Sequence, residues 1–379
     1  MKVAIPKESA EGEARVAASP ETVKKLKGLG LEIVVETGAG DGARITDQAY
    51  ADAGAEIAAD AKAALGDADV VLKVARPTPD EISKIKKGAV LIAMLAPLAH
   101  KEDAKSYAAA GITSFAMELV PRITRAQSMD VLSSQANLAG YKAVLDACAH
   151  YARVFPMMMT AAGSIAPARV FIMGVGVAGL QAIATAKRLG AVVSATDVRP
   201  ATKEQVESLG GKFVMVESEE TAEAETAGGY AKEMSEDYKR QQAELVATTI
   251  AKQDIVITTA LIPGRTAPVL VTEDMVKTMR PGSVIVDLAV EAGGNCPLSE
   301  ADKVVVKHGV TLIGYTNLAS RVAEDSSLLY ARNLFNFLVP LLNKETGALD
   351  INWDDEIITG AALTRDGAVI HPLLKEGGA

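Results

Sequence analysis

Three glycines and one aspartate have the types and the spacing of a dinucleotide-binding turn. The glycines are Gly174, Gly176 and Gly179, and Asp197 follows about 20 residues further on. Gly174 allows a tight turn, Gly176 lets backbone N–H groups approach a pyrophosphate, and Gly179 lets a helix pack closely on a strand. A carboxylate at Asp197 accepts hydrogen bonds from an adenosine ribose and repels a 2′-phosphate. These residues therefore predict binding of NAD(H).

The residues around this turn predict the elements that must hold it. An apolar run at Val170–Met173 predicts a buried parallel strand, the amphipathic stretch Leu180–Leu189 predicts a helix, and Ala191–Ala195 predicts the next strand. The helix follows the glycines, so its N-terminus faces the phosphates with its partial positive charge. The alternative is a unit of the same fold that binds no nucleotide.

Length and composition predict an α/β protein with two domains. A chain of 379 residues suits two domains of ordinary size, and its 49% hydrophobic content is enough for two cores. Aromatic residues make up only 4%, so the cores must be built from Ala, Val, Leu and Ile. We therefore predict two Rossmann-like domains with mostly parallel sheets, joined by long helices.

Charge, cysteine content and hydropathy argue against several other classes of protein. The net charge of −9 argues against a nucleic-acid partner. Cys148 and Cys296 are too few for a disulfide framework or a thiolate metal site, and we expect no metal. The N-terminus is not a signal peptide. The best membrane-span candidate, residues 157–186, is interrupted by Pro167 and Arg169, so buried strands explain it better.

Alternating strands and helices predict the domain limits. Strands are expected in the first part at Met1–Pro6, Leu31–Glu36, Ala68–Val74, Ala89–Leu95 and Ile112–Met117, and later at Asp254–Thr259, Val284–Leu288 and Thr311–Tyr315. We predict a discontinuous N-terminal domain (1–127 plus 340–379), a linking helix (128–150), an NAD(H)-binding Rossmann domain (151–325) and a return helix (326–339).

Polar residues follow three predicted strands of the second domain. They lie in the segments 259–265, 287–295 and 314–317. In open α/β sheets, ligands bind beyond the carboxyl ends of the strands. Each segment alone is explained equally well as an ordinary loop, but three in one domain favour a shared cleft.

A further polar cluster lies at the start of the predicted linking helix. It contains Arg122, Arg125, Gln127, Ser128, Asp130, Ser133, Ser134 and Gln135. These side chains offer donors and acceptors for an amide or a ribose. Helix capping by Ser128 or Asp130 is the competing explanation, and both can hold at once.

No histidine is well placed to act as a base. The four histidines are His100, His150, His308 and His371. A dehydrogenase that acts on an alcohol or amine usually needs a base. Lys73 is the one lysine near the end of a predicted strand, with Arg15 and Arg76 as companions, and a solvated lysine is the alternative. Hydride transfer between two nicotinamides releases no proton and depends on positioning.

Long segments along the whole chain carry a family resemblance. They are IPKE at Ile5–Glu8, MELVPRITRAQSMDVLSSQANLAGY at Met117–Tyr141, FPMMMTAAGSIAPARVFIMGVGVAGLQAIATAKRLGA at Phe155–Ala191, TAGGYAKEM at Thr226–Met234, TTALIPGR at Thr258–Arg265 and DLAVEAGGNCPLS at Asp287–Ser299. In these segments the chain resembles domain I, the NAD(H)-binding component, of proton-translocating nicotinamide nucleotide transhydrogenase.

The resemblance implies a function shared among several domains. NADH binds to this component, NADP(H) binds to a separate domain III, and hydride passes directly between them with Si-specific stereochemistry. A membrane domain II couples this step to proton translocation. The resemblance further implies a homodimer that is soluble when isolated, with no membrane insertion of its own. It would lie peripherally on the cytoplasmic face of the inner (plasma) membrane.

The resemblance also implies the roles of particular residues. Those around the nicotinamide, with a catalytic role, are Arg122, Gln127, Asp130 and Ser133. Those that bind the nucleotide are Gly174, Gly176, Val177, Ala178, Gly179, Asp197, Val198, Arg199, Gly229, Tyr230, Thr259, Ala260 and Leu261. Tyr230 lies on the family's mobile loop, within residues 218–244, where a solvated helix with a break is the alternative.

Alanine dehydrogenase, a fold relative, shares some of these features. The shared residues are Lys7, Glu8, Arg15, Val16, Ala17, Lys73 and the segment at Asp287. The alternative function is therefore a stand-alone NAD-dependent alanine or 2-oxo-acid dehydrogenase, with Lys73 and Arg15 holding the substrate carboxylate. A nucleotide-binding module without chemistry is a third possibility.

Two departures argue against amino-acid chemistry. Alanine dehydrogenase has a catalytic histidine at the end of the strand that is predicted here at Ala89–Leu95. This chain has Met94 and Leu95 in that region. Where the relative carries a second aspartate, this chain has Glu291.

Overall fold

Two large sheets form the framework of the chain in a computed structural model that describes residues 1–216, 235–262, 264–343 and 345–374. The chain divides into two compact units. Unit 1 comprises Met1–Gln135 and Ala319–Ala379, and unit 2 comprises Ala136–Leu318. Each unit contains one mostly parallel sheet. The predicted α/β class with two Rossmann-like folds is confirmed.

Unit 1 is built on an eight-stranded sheet. Its strands, numbered along the whole chain, are β1 (Lys2–Ile5), β2 (Glu32–Glu36), β3 (Glu56–Ala58), β4 (Val70–Leu72), β5 (Val90–Ala93), β6 (Thr113–Ala116), β16 (Ala362–Arg365) and β17 (Ala368–Val369). Their order in the sheet is β17–β16–β6–β5–β4–β1–β2–β3. The first six strands are parallel, and the last two pair in antiparallel fashion.

The helices of unit 1 cover this sheet and are bounded by local signals. They are α1 (Pro20–Gly28), α2 (Asp47–Asp52), α3 (Ala61–Leu65), α4 (Pro79–Lys84), α5 (Lys101–Ala109), α11 (Ala323–Leu338) and α12 (Glu356–Ala361). Ser19 and Thr78 each form a capping box before a proline in the first turn, which explains where α1 and α4 begin. Phe115, Leu334 and Phe337 are fully buried in the core between the sheet and α11.

Unit 2 is built on a seven-stranded sheet whose carboxyl ends carry the predicted nucleotide turn. Its strands are β9 (Arg169–Met173), β10 (Val192–Thr196), β11 (Lys212–Phe213), β12 (Ile255–Thr258), β13 (Val284–Asp287), β14 (Val304–Lys307) and β15 (Val310–Ile313). The order is β11–β10–β9–β12–β13–β15–β14, and only β14 is antiparallel. The parallel strands β9, β12 and β13 are buried almost throughout, as their apolar sequences predict.

The helices α7 (Val177–Arg188), α8 (Lys203–Ser208), α9 (Glu236–Ile250) and α10 (Glu273–Thr278) flank the sheet of unit 2. A long helix was predicted over residues 128–150, and α6 occupies Val131–His150. It begins in unit 1 and continues into unit 2. Within the described ranges, no helix has both the length and the apolar character needed to cross a membrane.

A short antiparallel hairpin corrects one expectation. Strands β7 (Met158–Thr160) and β8 (Gly163–Ile165) pair with each other and with neither large sheet. The apolar methionines of this segment predict burial, and that prediction is wrong. Met159 is 79% exposed, and every residue of both strands is exposed.

Candidate nucleotide-binding site

The turn between β9 and α7 is shaped by three glycines with different environments. Gly174 has a positive φ of 99°, and a Cβ atom there would lie 2.5 Å from Oγ1 of Thr259. A Cβ atom on Gly179 would lie 2.0 Å from the carbonyl oxygen of Gly174. No atom lies within 4 Å of a Cβ atom built on Gly176. The turn is therefore tight at its two ends and open in its middle, where a pyrophosphate must approach.

The first turn of α7 supports the same role. Gly176 is the N-cap residue, and no side chain caps the helix. The N–H groups at a helix N-terminus have no partner within the helix and carry a partial positive charge. Since α7 has 12 residues, its N-terminus can hold an anionic group beside the open backbone at Gly176.

Asp197 lies directly after β10, beside the glycine turn. Its Oδ2 accepts the Val175 N–H at 2.7 Å, and its Oδ1 accepts the Arg199 N–H at 2.9 Å. The Arg199 guanidinium donates from Nε to Oδ1 at 2.9 Å and from Nη2 to Oδ2 at 3.0 Å. Burial acts to raise the pKa of Asp197, but the hydrogen bonds from Arg199 and Val175 outweigh it and lower the pKa. Asp197 is therefore an ionised acceptor at neutral pH.

The turn after β12 contacts the glycine turn. Oγ1 of Thr259 donates to the carbonyl oxygen of Gly174 at 3.0 Å. Ala260 follows, and the Leu261 side chain is exposed. The structure thus brings the glycines, Asp197 and the Thr259–Leu261 turn to one edge of the sheet, which fits the chemistry of a dinucleotide with a pyrophosphate and a ribose.

Asn295 holds this turn from the other side and was not among the predicted site residues. Its Oδ1 accepts the Ala260 N–H at 3.1 Å, and its Nδ2 donates to the carbonyl oxygens of Ala260 at 2.9 Å and Pro268 at 2.8 Å. The side chain is fully buried. A polar residue after a predicted strand was the only signal for Asn295 in the sequence, and it does not indicate which loop Asn295 contacts.

Asp287 positions the loop that carries Asn295. This buried carboxylate accepts the N–H groups of Ala289, Asn295 and Cys296 at 3.0 to 3.1 Å, and the Thr258 hydroxyl at 3.3 Å. All four donors belong to the protein. The predicted cluster at residues 287–295 therefore braces the neighbouring turn.

In unit 1, the segment that contains Arg122, Gln127, Asp130 and Ser133 forms a loop and the start of α6. Asp130 caps this helix, because its Oδ1 accepts the Ser133 N–H at 2.8 Å. Its Oδ2 accepts the Ser133 hydroxyl at 2.6 Å. Arg122 and Gln127 are exposed. The capping alternative thus applies to Asp130, while the neighbouring side chains remain accessible.

This loop is anchored within unit 1 by its other residues. Arg125 forms a bidentate pair with Asp355 at 2.9 and 2.6 Å. The carbonyl oxygen of Ser128 accepts from Nδ2 of Asn333 at 2.8 Å and from Nδ2 of Asn336 at 3.1 Å. The anchors leave Arg122 and Gln127 on a held backbone.

Lys73, the candidate base, lies directly after β4 and is completely buried. Its Nζ lies 2.9 Å from Glu81 and 3.2 Å from Glu8. Burial acts to lower the pKa of Lys73, but the two carboxylates outweigh it and raise the pKa. Lys73 is therefore a paired cation rather than a base at neutral pH.

Arg15, its expected companion, is paired as well. Its guanidinium donates to Glu13 at 2.6 and 2.8 Å and to Oε1 of Gln135 at 2.8 Å. The exposed fraction of its side chain is 6%. Arg76 instead pairs with Asp103 at the surface, at 2.9 Å.

The turn after β5 contains no acid–base side chain between Met94 and Ala96. The carboxylate of Glu118 accepts the N–H of Leu95 at 3.2 Å and that of Ala96. Ala96 has a positive φ of 46°. Burial raises the pKa of Glu118. Glu118 thus holds the backbone at the position where alanine chemistry would require a histidine.

Two predicted nucleotide contacts, Gly229 and Tyr230, lie outside the described residues. The segment 218–244 proposed to contain a mobile loop is described only from residue 235 onward, where α9 begins at Glu236. Within the described ranges of the chain, no group of three or more His, Cys, Asp or Glu side chains has the arrangement of a metal site.

Comparison with known protein families covers both units. A model described as "Alanine dehydrogenase/PNT, C-terminal domain" matches residues 143–372, and a model described as "Alanine dehydrogenase/PNT, N-terminal domain" matches residues 4–139. The chain belongs to the alanine dehydrogenase/PNT family. The glycine turn lies in the C-terminal family domain, whereas Lys73 and the loop at Arg122 lie in the N-terminal one.

Three proteins illustrate how this alanine dehydrogenase/PNT chain relates to others. The first portion of the NAD(P) transhydrogenase alpha subunit of Rhodospirillum rubrum, a separate chain, is 62% identical over 384 residues, covering 100% of both chains. The structure of transhydrogenase from Sinorhizobium meliloti matches with a TM-score of 0.90 and 56% identity, covering 98% of this chain and 100% of that one. Alanine dehydrogenase of Bacillus subtilis is 30% identical over 381 residues, covering 98% of this chain and 93% of that protein. The predicted resemblances are confirmed.

Proposed function

We propose that this chain is the NAD(H)-binding component of a proton-translocating NAD(P) transhydrogenase. In this proposal, residues 151–325 bind NAD(H), and NADP(H) binds to a domain III on a partner. Hydride passes directly between the two nucleotides, with Si-specific stereochemistry, and a membrane domain II couples the transfer to proton movement. The relative from Rhodospirillum rubrum, which matches over its full length, supports this assignment.

The contrast between the two units carries the proposal. The second unit has a turn suited to a dinucleotide, whereas the strand-end cations of the first unit, Lys73 and Arg15, are buried and paired with protein carboxylates. An alanine or 2-oxo-acid dehydrogenase needs a cation for the substrate carboxylate and a base for the proton. A hydride exchange between two nicotinamides needs neither group.

The described residues would divide the work of binding and positioning. Gly176 and the first turn of α7 would hold the pyrophosphate with Val177, Ala178 and Gly179. Asp197, with Val198 and Arg199 beside it, would hold the adenosine ribose. The Thr259–Leu261 turn, braced by Asn295, would support the nicotinamide end. When bound, NADH supplies the hydride.

The loop residues Arg122, Gln127, Asp130 and Ser133 would set the position of the nicotinamide. The pair of hydrogen bonds between Asp130 and Ser133 fixes two of these side chains relative to each other. Positioning of reacting groups contributes several kcal/mol, about 7 to 11 at its upper range. The four residues would therefore affect transfer more than binding.

The decisive experiment mixes the full chain with a purified NADP(H)-binding domain III and follows the reduction of an NAD⁺ analogue by NADPH. We expect transfer in the mixture and none with either component alone. The variant Gln127→Asn should slow single-turnover transfer far more than it weakens NADH binding. Arg44→Lys, on an exposed 3₁₀ turn of unit 1, serves as the control and should change neither. Absence of transfer in the mixture would contradict the proposal.

The alternative function has its own test. The isolated chain should not oxidise NADH in the presence of pyruvate and ammonium, nor reduce NAD⁺ with alanine, because Lys73 and Arg15 are already paired. Steady turnover with either substrate pair would favour a stand-alone dehydrogenase.

We further propose that the chain is a homodimer that docks peripherally at the cytoplasmic face of the inner membrane through its partner domains. The exposed methionines of the β7–β8 hairpin support a protein contact, since contiguous apolar surface commonly marks an interface. Sedimentation at micromolar concentration should give a dimer. Met159→Lys should shift the equilibrium toward monomer, whereas Val306→Lys on the edge strand β14 should not.

A further inference from the structure

The ribose-binding carboxylate of Asp197 has no unused acceptor position in this structure. A carboxylate offers about four lone-pair positions on its two oxygens. Oδ1 accepts from N and Nε of Arg199, and Oδ2 accepts from N of Val175 and Nη2 of Arg199. Two of the four donors belong to one side chain, the Arg199 guanidinium.

The two kinds of donor differ in how easily they can leave. The N–H groups of Val175 and Arg199 belong to the backbone of the turn. The guanidinium belongs to a side chain that is 49% exposed, while the Asp197 side chain is only 6% exposed. Besides Asp197, the guanidinium contacts only the carbonyl oxygen of Val175, at 3.3 Å, among the described residues. The guanidinium is thus the donor that can withdraw into solvent.

We propose that Arg199 is a specificity-determining residue that competes with the adenosine ribose for Asp197. This inference rests on the proposed function, because it takes NAD(H) as the ligand of this turn. Asp197 accepts the ribose hydroxyls only after the Arg199 guanidinium has given up Oδ1 and Oδ2. The paired state of the chain therefore has a lower affinity for the ribose than the carboxylate alone would have.

Arg199 also affects the discrimination between NADH and NADPH. An unpaired Asp197 carboxylate repels a 2′-phosphate, whereas a guanidinium beside it attracts one. Arg199 is two residues from Asp197, so its charge stays near the ribose after it withdraws. The wild-type chain therefore rejects NADPH less strongly than Asp197 alone would.

Binding titrations of the full chain with Arg199→Ala test this inference. We expect NADH to bind about fivefold more tightly to the variant, because the ribose no longer displaces a charged partner. NADPH should bind no more tightly, so the ratio of the two affinities should rise. Reduced nicotinamide mononucleotide, which lacks the adenosine, should bind equally to both chains, since it does not reach Asp197.

Matched variants separate this role from a general loss of charge. Arg188→Ala removes an arginine from the other end of α7 and should leave all three affinities unchanged. Arg199→Lys keeps the charge but cannot donate in bidentate fashion, and its NADH affinity should lie between those of the wild type and Arg199→Ala.

The possible outcomes distinguish this inference from the proposed function. Weaker or unchanged NADH binding in Arg199→Ala, with normal binding by the wild type, would overturn the inference and leave the proposed function standing. Failure of the wild type to bind NADH would overturn the proposed function itself.

Discussion

Asp197 and Lys73 occupy comparable places in the two units, yet only one of them is arranged to exchange its partner. Each is a charged residue directly after a parallel strand, β10 and β4 respectively. The partner of Asp197 is the half-exposed Arg199. The partners of Lys73, Glu8 and Glu81, have side chains that are 3% and 7% exposed.

The difference lies in the cost of releasing the partner. Breaking an exposed ion pair costs at most about 1 kcal/mol, since water solvates both charges. Removing one partner from a buried pair costs about 3 to 5 kcal/mol, because the remaining charge has no solvent. A charged residue at a strand end is therefore a binding candidate only if its protein partners can leave.

The largest expected effect comes from Gly179→Ala in the nucleotide unit. The added Cβ would lie 2.0 Å from the carbonyl oxygen of Gly174, a backbone atom that cannot move without opening the turn. We expect NADH affinity to fall by about 100-fold or more and the unfolding free energy to fall by about 1 to 3 kcal/mol. Fluorescence titration and urea unfolding measure the two quantities.

A matched control for this substitution is Gly28→Ala at the end of α1. No atom lies within 4 Å of a Cβ built there, and Gly28 has no positive φ. This variant should retain both stability and NADH affinity. If Gly179→Ala also retained its affinity, the glycine turn would not be the nucleotide site.

Lys73→Met should have the opposite signature. It leaves Glu8 and Glu81 buried without a cation, so the unfolding free energy should fall by about 3 to 5 kcal/mol. NADH affinity, measured under conditions where the chain is folded, should stay the same. The exposed pair of Lys86 and Asp69 provides the control, and Lys86→Met should cost less than about 1 kcal/mol. Loss of NADH affinity without loss of stability would mean that Lys73 belongs to the binding site.

Gly176→Ala sharpens the comparison within the turn itself. The added methyl group meets no protein atom within 4 Å, so the unfolding free energy should not change beyond a few tenths of a kcal/mol. The methyl group would occupy space that a pyrophosphate needs, and NADH affinity should fall by about tenfold, or about 1.4 kcal/mol. A variant with unchanged affinity would argue that the phosphates bind elsewhere.

The smallest expected effect is a pH dependence of the Lys73→Met destabilisation. Burial acts to raise the pKa of Glu81, but Lys73 and the Thr78 N–H outweigh it and lower the pKa. A carboxyl group with a lowered pKa in the folded state stabilises above its unfolded pKa, here 4.5, and loses this contribution as the pH falls. The difference in stability between wild type and variant should therefore shrink below pH 4.5. A constant difference would mean that the cluster is not electrostatically coupled.

The sequence predicted those features of the site whose cause is local. The glycine turn follows from three positions within six residues, and the parallel strands follow from short apolar runs between helices. Asp197 was found because its distance from the glycines is a property of the βαβ unit. These features need no knowledge of distant contacts.

The remaining features depend on partners far away in the chain. Asn295 contacts Ala260 and Pro268, which are 35 and 27 residues away, so its role as a brace has no local signal. The pairing of Lys73 with Glu8 joins the ends of two neighbouring strands, β4 and β1. The exposure of the β7–β8 hairpin is likewise a property of the fold, because its methionines have the composition of a core strand.

Direct transfer of a labelled hydride tests the central claim most directly. The chain is mixed with domain III and an NAD⁺ analogue in ordinary water, and the reduced nucleotide supplied is NADPH carrying deuterium at the transferred C4 position. We predict that the deuterium appears in the reduced NAD⁺ analogue without dilution by solvent protons. Label that is lost to water, or reduction that occurs only when alanine is added, would contradict direct transfer between the two nicotinamides.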